Sequence, residues 1–513
     1  MESIGRKIVR NTTYNAIGRI WLMLVTLLLT PYILHKLGTQ VFGVWSLVFV
    51  VANYLLLLDF GIGTSFAKYI AEYHAKGDQA SINSVVSCGL LFYLGFSILI
   101  VILGFILRNP VASLLNIPVS IREESLFAII GMVIVFAVNN TFSIFQGLLV
   151  GLQRMDVQNK ILVFISIPNV LGTFFFLEKG FGITGLVVNS GIVAILTILF
   201  NIYFSHKLLP QIRIGFSWLR GDIFRKLFKF GIKTQLGNLA SLIHFQTDKI
   251  IISYFLGLNF VTFYELGQKV ANAVRMFPTM LLSALEPAVS ELDARGEQNR
   301  LMGLYYKGSK YVSVIVFPLT CLTFILASWI MRAWVGEGYS LSAITLQVLI
   351  IEYGINLLTG VGTRIVRGIG KPELETKYKV LVAVLHLVLS ITLIQLLGYK
   401  GVLLSFLFSG SMGSIYFIKI FHKFFKERFT KLIHVVYLKP LAASLGAAVV
   451  SFFLTFVLSS SSADLGKLKY FYLLFFNCLV FGVLFLLTIM KVKYFESYEL
   501  RSFFNTFKEV YKS

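Results

Sequence analysis

The sequence predicts an all-α polytopic membrane protein of about fourteen transmembrane helices: two pseudo-symmetric six-helix lobes around a central cavity, and two further C-terminal helices. Three observations predict it. The chain is too apolar for a water-facing exterior, it divides into apolar runs of spanning length, and its first two runs recur later in the same order.

Of 513 residues, 57% are hydrophobic and only 14% are charged, whereas a soluble fold carries about a quarter charged. Lipid is therefore the solvent for most of the chain. A net charge of +22 would suggest nucleic acid in a soluble protein; here it reflects Lys and Arg crowding cytoplasmic loops, so no nucleic-acid partner is expected. Cys88, Cys321 and Cys478 lie inside apolar runs without a neighbouring His or Cys, which gives neither a disulfide framework nor a metal spacing. The basic, then apolar N-terminus runs too long for a signal peptide and reads as an uncleaved first span.

A span needs about twenty mostly apolar residues. The fourteen runs lie near 13–34, 41–58, 82–107, 126–150, 160–178, 181–204, 231–256, 262–290, 309–335, 341–366, 378–397, 401–425, 438–459 and 469–490. The second and fifth are short, and the eighth is polar. Lys and Arg fall several-fold more often on the N-terminus, every second loop and the C-terminus than on the intervening loops. That asymmetry places both termini in the cytoplasm. Trp218 to Phe230 and Tyr494 to Tyr511 mix aromatics with Lys and Arg, the pattern of segments lying in the headgroup layer. Pro31, Pro168, Pro278, Pro287 and Pro318 fall within spans, where each removes a backbone bond.

A shift of 219 residues superposes the first two spans on the seventh and eighth. Gly18 meets Gly237, Leu37-Gly38 meets Leu256-Gly257, Leu47 meets Leu266, and Val51-Ala52-Asn53 meets Val270-Ala271-Asn272. Six spans separate the copies, so both insert with the same orientation. The expected organisation is an N-terminal lobe over 1–210, a cytoplasmic amphipathic linker over 211–230 and a C-terminal lobe over 231–430. Two additional spans (431–490) and a cytoplasmic amphipathic tail (491–513) follow.

Ionisable groups at bilayer depth are expensive and face a bundle interior or a hydrated cavity. The eighth span carries Glu265, Gln268, Lys269, Asn272, Arg275, Thr279, Ser283, Glu286 and Ser290 along one helical face. The seventh carries Gln235, Asn238, Ser241, Asp248 and Lys249, and the first Asn11, Asn15, Arg19, Thr26 and Thr30. Such stripes suit a cavity between lobes; charges that merely pair to lock helices, as Glu265 with Lys269 at i,i+4, are the competing reading. No P-loop, HExxH or Cys–His pattern occurs, so neither cofactor, metal nor ATP hydrolysis is expected. Gly61-Ile62-Gly63 lacks the third glycine of a dinucleotide fingerprint.

The stretch from Leu37 to Tyr73, LGTQVFGVWSLVFVVANYLLLLDFGIGTSFAKYIAEY, resembles the N-terminal signature of the bacterial polysaccharide (O-antigen, lipid-linked oligosaccharide) flippases. Those belong to the multidrug/oligosaccharidyl-lipid/polysaccharide exporter superfamily. Asp59, Gly61 and Gly63 are the most specific part of the likeness; GNLASLIHFQTDKIIISYFLG and RIVRGIGKP (Arg364 to Pro372) are similar to later landmarks. The resemblance implies a non-enzymatic, monomeric carrier in the bacterial cytoplasmic (inner) membrane. Its substrate would be an undecaprenyl-pyrophosphate-linked glycan, moved outward by alternating access and coupled to an ion gradient. Glycan polymerase and glycosyltransferases would be its partners.

On that reading Arg19, Lys249, Lys269 and Arg275 offset the pyrophosphate charge. Asp248, Glu265 and Glu286 are ion-coupling candidates, and Asn15, Asn53, Asn238 and Asn272 line the cavity. Asp59 shapes its loop. A multidrug-and-toxin-extrusion exporter, a peptidoglycan-precursor flippase and, from another class, a membrane polysaccharide polymerase or ligase are the alternatives.

The charge asymmetry fixes a topology that reporter fusions check. A reporter after Arg220 or at Ser513 is expected to report cytoplasm, and one near Gly257 or Gly336 the outside. An outside signal at Ser513 would overturn the span count.

Overall fold

Lipid offers backbone N–H and C=O groups no partner, so each apolar run must close its hydrogen bonds within itself. The computed structural model describes residues 4–56, 61–283, 285–461 and 467–495, and the described residues contain helices but no strand. In order the helices are α1 (Ile4–Leu56), α2 (Ile62–Ala75), α3 (Gln79–Leu114), α4 (Arg122–Thr141), α5 (Ser143–Gly151), α6 (Met155–Glu178), α7 (Gly182–Leu208), α8 (Gly221–Leu256) and α9 (Leu258–Ser283). They continue as α10 (Leu285–Ala294), α11 (Gln298–Trp334), α12 (Ser340–Leu358), α13 (Gly360–Gly368), α14 (Glu373–Leu397), α15 (Tyr399–Phe425), α16 (Phe429–Leu432), α17 (Leu438–Ser461) and α18 (Lys467–Lys491).

Eleven stretches among the described residues are long and apolar enough to cross a bilayer. The difference from fourteen has two causes. The first two expected spans form one continuous stretch within α1, and α8 and α9 carry too many polar groups to qualify by composition. The chain is a multi-pass membrane protein. Residues 221–230, the second half of the expected amphipathic linker, are the opening turns of α8, with Ile223 and Leu227 buried. Of the amphipathic tail, only residues up to 495 are described.

Helix lengths show the duplication more fully than sequence identity does. The series α3 to α7 runs 36, 20, 9, 24 and 27 residues, and the series α11 to α15 runs 37, 19, 9, 25 and 27. Both copies also bend at one glycine. Gly38 (φ 75°, ψ 168°) interrupts α1, and Gly257 (φ 89°, ψ 176°) separates α8 from α9. A side chain at such φ/ψ meets its own backbone, so glycine alone turns the chain there cheaply.

Close packing groups the residues into two units: Met1–Glu265 with Lys379–Ser405, and Leu266–Tyr378 with Phe406–Ser513. In the first unit α8 and α14 therefore pack with the N-terminal helices. Asp78 caps α3 by accepting from the Ser81 N–H (2.9 Å) and hydroxyl (2.6 Å); those donors hold its carboxyl below the usual carboxylate range. Ser65 donates to the Leu227 carbonyl (2.8 Å), tying α2 to α8 over a core of Ile62, Phe66, Ile70, Ile223 and Leu227. Trp21 Nε1 donates to Ser166 (2.7 Å), joining α1 to α6. Gly172 faces the Asn189 side chain so closely that any Cβ would collide with it, and Asn189 donates to Asn169 (3.0 Å) across α6 and α7.

In the second unit α17 and α18 pack through Ala443, Ala447, Phe481, Phe485 and Ile489. Ser451 donates to Asn477 (2.5 Å) between them. Small and hydroxyl residues at such contacts let helices approach where no hydrophobic force drives them together.

No atom lies near where a Cβ would sit at Gly38 or Gly257, so substitution there tests backbone strain alone. Gly38→Ala and Gly257→Ala are each expected to cost about 1–3 kcal/mol and to lower the thermal midpoint in detergent. Gly95→Ala, helical and equally open, is expected to be neutral or to stabilise by up to about 1 kcal/mol.

Candidate functional site

The chain turns back at Gly257, so α8 and the start of α9 run antiparallel and present facing side chains. On α8, His244 and Asp248 are one turn apart and share a face; on α9, Tyr264 and Glu265 follow the turn. α14 completes the site with His386. Asp248 and His386 are fully buried, as is Tyr264, and His244 is 5% exposed.

Each carboxylate oxygen of Asp248 faces a different side chain. His386 Nε2 lies 2.8 Å from Oδ1, and the Tyr264 hydroxyl donates a short bond to Oδ2. On the other side of the His386 ring, Nδ1 lies 3.5 Å from Ser390 Oγ, which is 2.6 Å from Ser405 Oγ. The His244 ring stands edge-on to His386 with centroids 5.2 Å apart. One residue along α8, Lys249 Nζ is 2.5 Å from Glu265 Oε2, the side chains 6% and 13% exposed. Tyr54 of α1 bonds Thr247 at 2.5 Å. Isolated charges at this depth would carry a desolvation cost of several kcal/mol each; opposite charges and fixed donors supply what water does not.

The structure distributes the expected site residues unevenly. Asp248, Lys249 and Glu265 come together, and Glu265 bonds Lys249, a partner the i,i+4 spacing does not suggest. Arg19, Asn238 and Asn272 are exposed, and Lys269 is half-buried. Arg275, also half-buried, donates to Asn356 Oδ1 (3.1 Å) and stacks 4.6 Å over the buried Tyr353 ring. Gly61 precedes α2 in a left-handed conformation (φ 70°), where an added Cβ would collide with the Gly231 carbonyl, and Gly63 sits in the first turn. The side chains of Asn15, Asn53 and Glu286, and Asp59 altogether, lie outside the described residues. Among the described residues no group of three His, Cys, Asp or Glu is placed to hold a metal.

Sequence reasoning missed His386, His244 and Tyr264. The signal was present: a histidine inside VLVAVLHLVLS or ASLIHFQTD is an ionisable group at bilayer depth. It also missed Glu352, fully buried on α12, whose carboxylate occupies the space a side chain at Gly410 would need.

The family described as "Polysaccharide biosynthesis protein" matches residues 8–293, and the family described as "MatE" matches residues 235–392. A Shigella flexneri protein named "Putative O-antigen transporter" is 21% identical over 78% of this chain and 94% of its own length. A Haloferax volcanii protein named "Probable flippase AglR" is 19% identical over 80% and 81%. The solved structure "Lipid II flippase MurJ, inward closed conformation" shares the fold with a TM-score of 0.71 at 13% identity, over 94% of this chain and 99% of that one. An inward-facing multidrug resistance MATE family transporter of the MOP superfamily shares it with a TM-score of 0.65 at 16% identity, over 81% and 94%. These two relatives and two fold neighbours are carriers by name, and the match to the first family extends over more than half of the chain. The chain belongs to the polysaccharide biosynthesis protein family.

Proposed function

We propose that this protein is a flippase that moves an undecaprenyl-pyrophosphate-linked oligosaccharide from the cytoplasmic to the outer leaflet of the cytoplasmic membrane by alternating access, coupled to an ion gradient. The observation that carries the reading is the extent of the likeness. Relatives named as an O-antigen transporter and a flippase align over about four-fifths of the chain, and the fold shared with a lipid II flippase covers 94% of it. The multidrug transporter cited covers 81%, so the larger overlap includes more of the chain than a multidrug fold requires.

The duplicated chain supports two lobes near 1–210 and 231–430, with α17 and α18 as the appended pair. A pyrophosphate leaving water needs cationic donors to replace its hydration. Arg275 is suited to this: its guanidinium is held by Asn356 and backed by the Tyr353 face, so little rotamer freedom is left to lose. Lys269 and Arg19 are the accompanying cations. Lys249, bound to Glu265, is assigned to holding α8 against α9.

Deleting the gene tests the reading. Lipid-linked glycan is expected to accumulate on the cytoplasmic leaflet; unchanged glycan with loss of drug resistance would favour the multidrug reading instead. Arg275→Gln is expected to reduce export about 10- to 100-fold at normal abundance, the loss of a charged hydrogen bond worth about 1.5–3 kcal/mol, with Arg275→Lys intermediate. For the Lys249–Glu265 pair the expectation is reversed. Either single change to Gln should lower abundance by leaving a buried charge unpaired, and the double change should restore it.

A further inference from the structure

We propose that Asp248 and His386, with Tyr264, form a proton site, and that the ion coupled to transport is the proton. The proposal rests on the flippase reading for its role but on geometry for its chemistry. The dyad is fully buried and carries two groups able to exchange a proton within 2.8 Å. With one proton shared between them, as carboxylate and imidazolium or as their neutral tautomers, the net charge is zero. Removing that proton leaves one negative charge on a fully buried pair, which is costly. The buried geometry therefore holds the loaded form, and release requires the site to open to water.

The surrounding groups do not supply a substitute charge. On α8 they are His244 and Lys249; on α9, Tyr264 and Glu265; on α1, Tyr54, which bonds Thr247 beside Asp248. Lys249 and Glu265 cancel one another at 2.5 Å, and the remaining groups are neutral rings or phenols unless His244 itself takes a proton. A sodium ion fits the arrangement poorly. Hard cations require a cage of oxygen ligands, whereas Asp248 Oδ2 accepts the Tyr264 hydroxyl and Oδ1 faces a ring nitrogen of His386 at 2.8 Å.

The cycle balances as one proton. Water entering from the outside delivers H⁺ to His386 Nε2, forming an N–H bond. After reorientation that bond breaks, its electron pair stays on the nitrogen, and the proton leaves to cytoplasmic water. The Tyr264 O–H stays intact and donates to Asp248 throughout. With α8 and α14 both running outward, Ser390 and Ser405 lie on the outer side of His386 and His244 one turn to the inner side of Asp248. The line His244, Asp248–His386, Ser390–Ser405 thus extends about one helical turn to either side of the acid pair, roughly 12 Å in all.

Two measurements on the full chain decide it. In lipid nanodiscs, ¹⁵N-histidine NMR should show the His386 signal, identified by its loss in His386→Gln, changing its protonation state as pH is varied. Asp248→Asn should shift that transition, and sodium chloride exchanged for potassium chloride should leave it unchanged. A His386 ring that keeps one state throughout, or that responds to sodium, overturns the proposal. In cells, glycan export should fall at least tenfold on collapse of the proton gradient by a protonophore. The charge-balanced Asp248→Asn, His386→Gln double variant, made at normal abundance, should lose that response and export at a low residual rate. Export that ignores the protonophore but requires sodium overturns the proton site and leaves the flippase standing. Absence of any glycan export removes the flippase reading, while the NMR titration still decides the proton site.

Discussion

Everything polar in this chain is governed by the absence of water across the hydrocarbon layer. A carboxylate such as Asp248 persists there only because His386 and Tyr264 each engage one of its oxygens, and Lys249 persists because Glu265 meets it. These contacts bring α8, α9 and α14 together with a specificity that apolar packing alone lacks, since lipid competes equally well for leucine. The same contacts make α8 and α9 tolerable as membrane helices although their composition is too polar to mark them as such.

The two copies share a backbone plan and differ in chemistry. Gly38 and Gly257 adopt the same rare conformation, and the helices that follow repeat in length. Yet the positions 219 residues before His244, Asp248, Lys249, Tyr264 and Glu265 hold Val25, Leu29, Thr30, Trp45 and Ser46. The first copy thus fills with apolar and hydroxyl groups the places where the second keeps its charges. Duplication supplied the frame, and the functional asymmetry lies in a handful of side chains on one side of it. Arg275, stacked on Tyr353 and bound to Asn356, belongs to the same copy, so binding and ion-handling candidates concentrate in the second half.

The fold was legible because its cause is local. Span length, the loop charges and the recurrence of Leu-Gly and Val-Ala-Asn at one offset are properties of nearby residues, and lipid enforces them on each helix separately. Gly38 and Gly257 were readable as a matched pair, though only the backbone angles showed that both are turns glycine alone permits. The candidate site was half legible. Asp248, Lys249 and Glu265 announced themselves as charges at depth, Lys249 as a cavity cation and Glu265 as an ion-coupling candidate, but the contact between Lys249 and Glu265 did not.

The sequence by itself determined an α-helical, multi-pass membrane chain with an internal duplication and ionisable groups clustered on the seventh and eighth spans. Each of these follows from composition and from spacing along one helix. Only the tertiary structure decided which charges meet. His386 is 138 positions from Asp248 and reaches it only because α14 packs with α8, as its place in the first unit shows. A partner across that distance leaves no trace in helical periodicity, which relates residues three or four apart and is silent about the helix beside them.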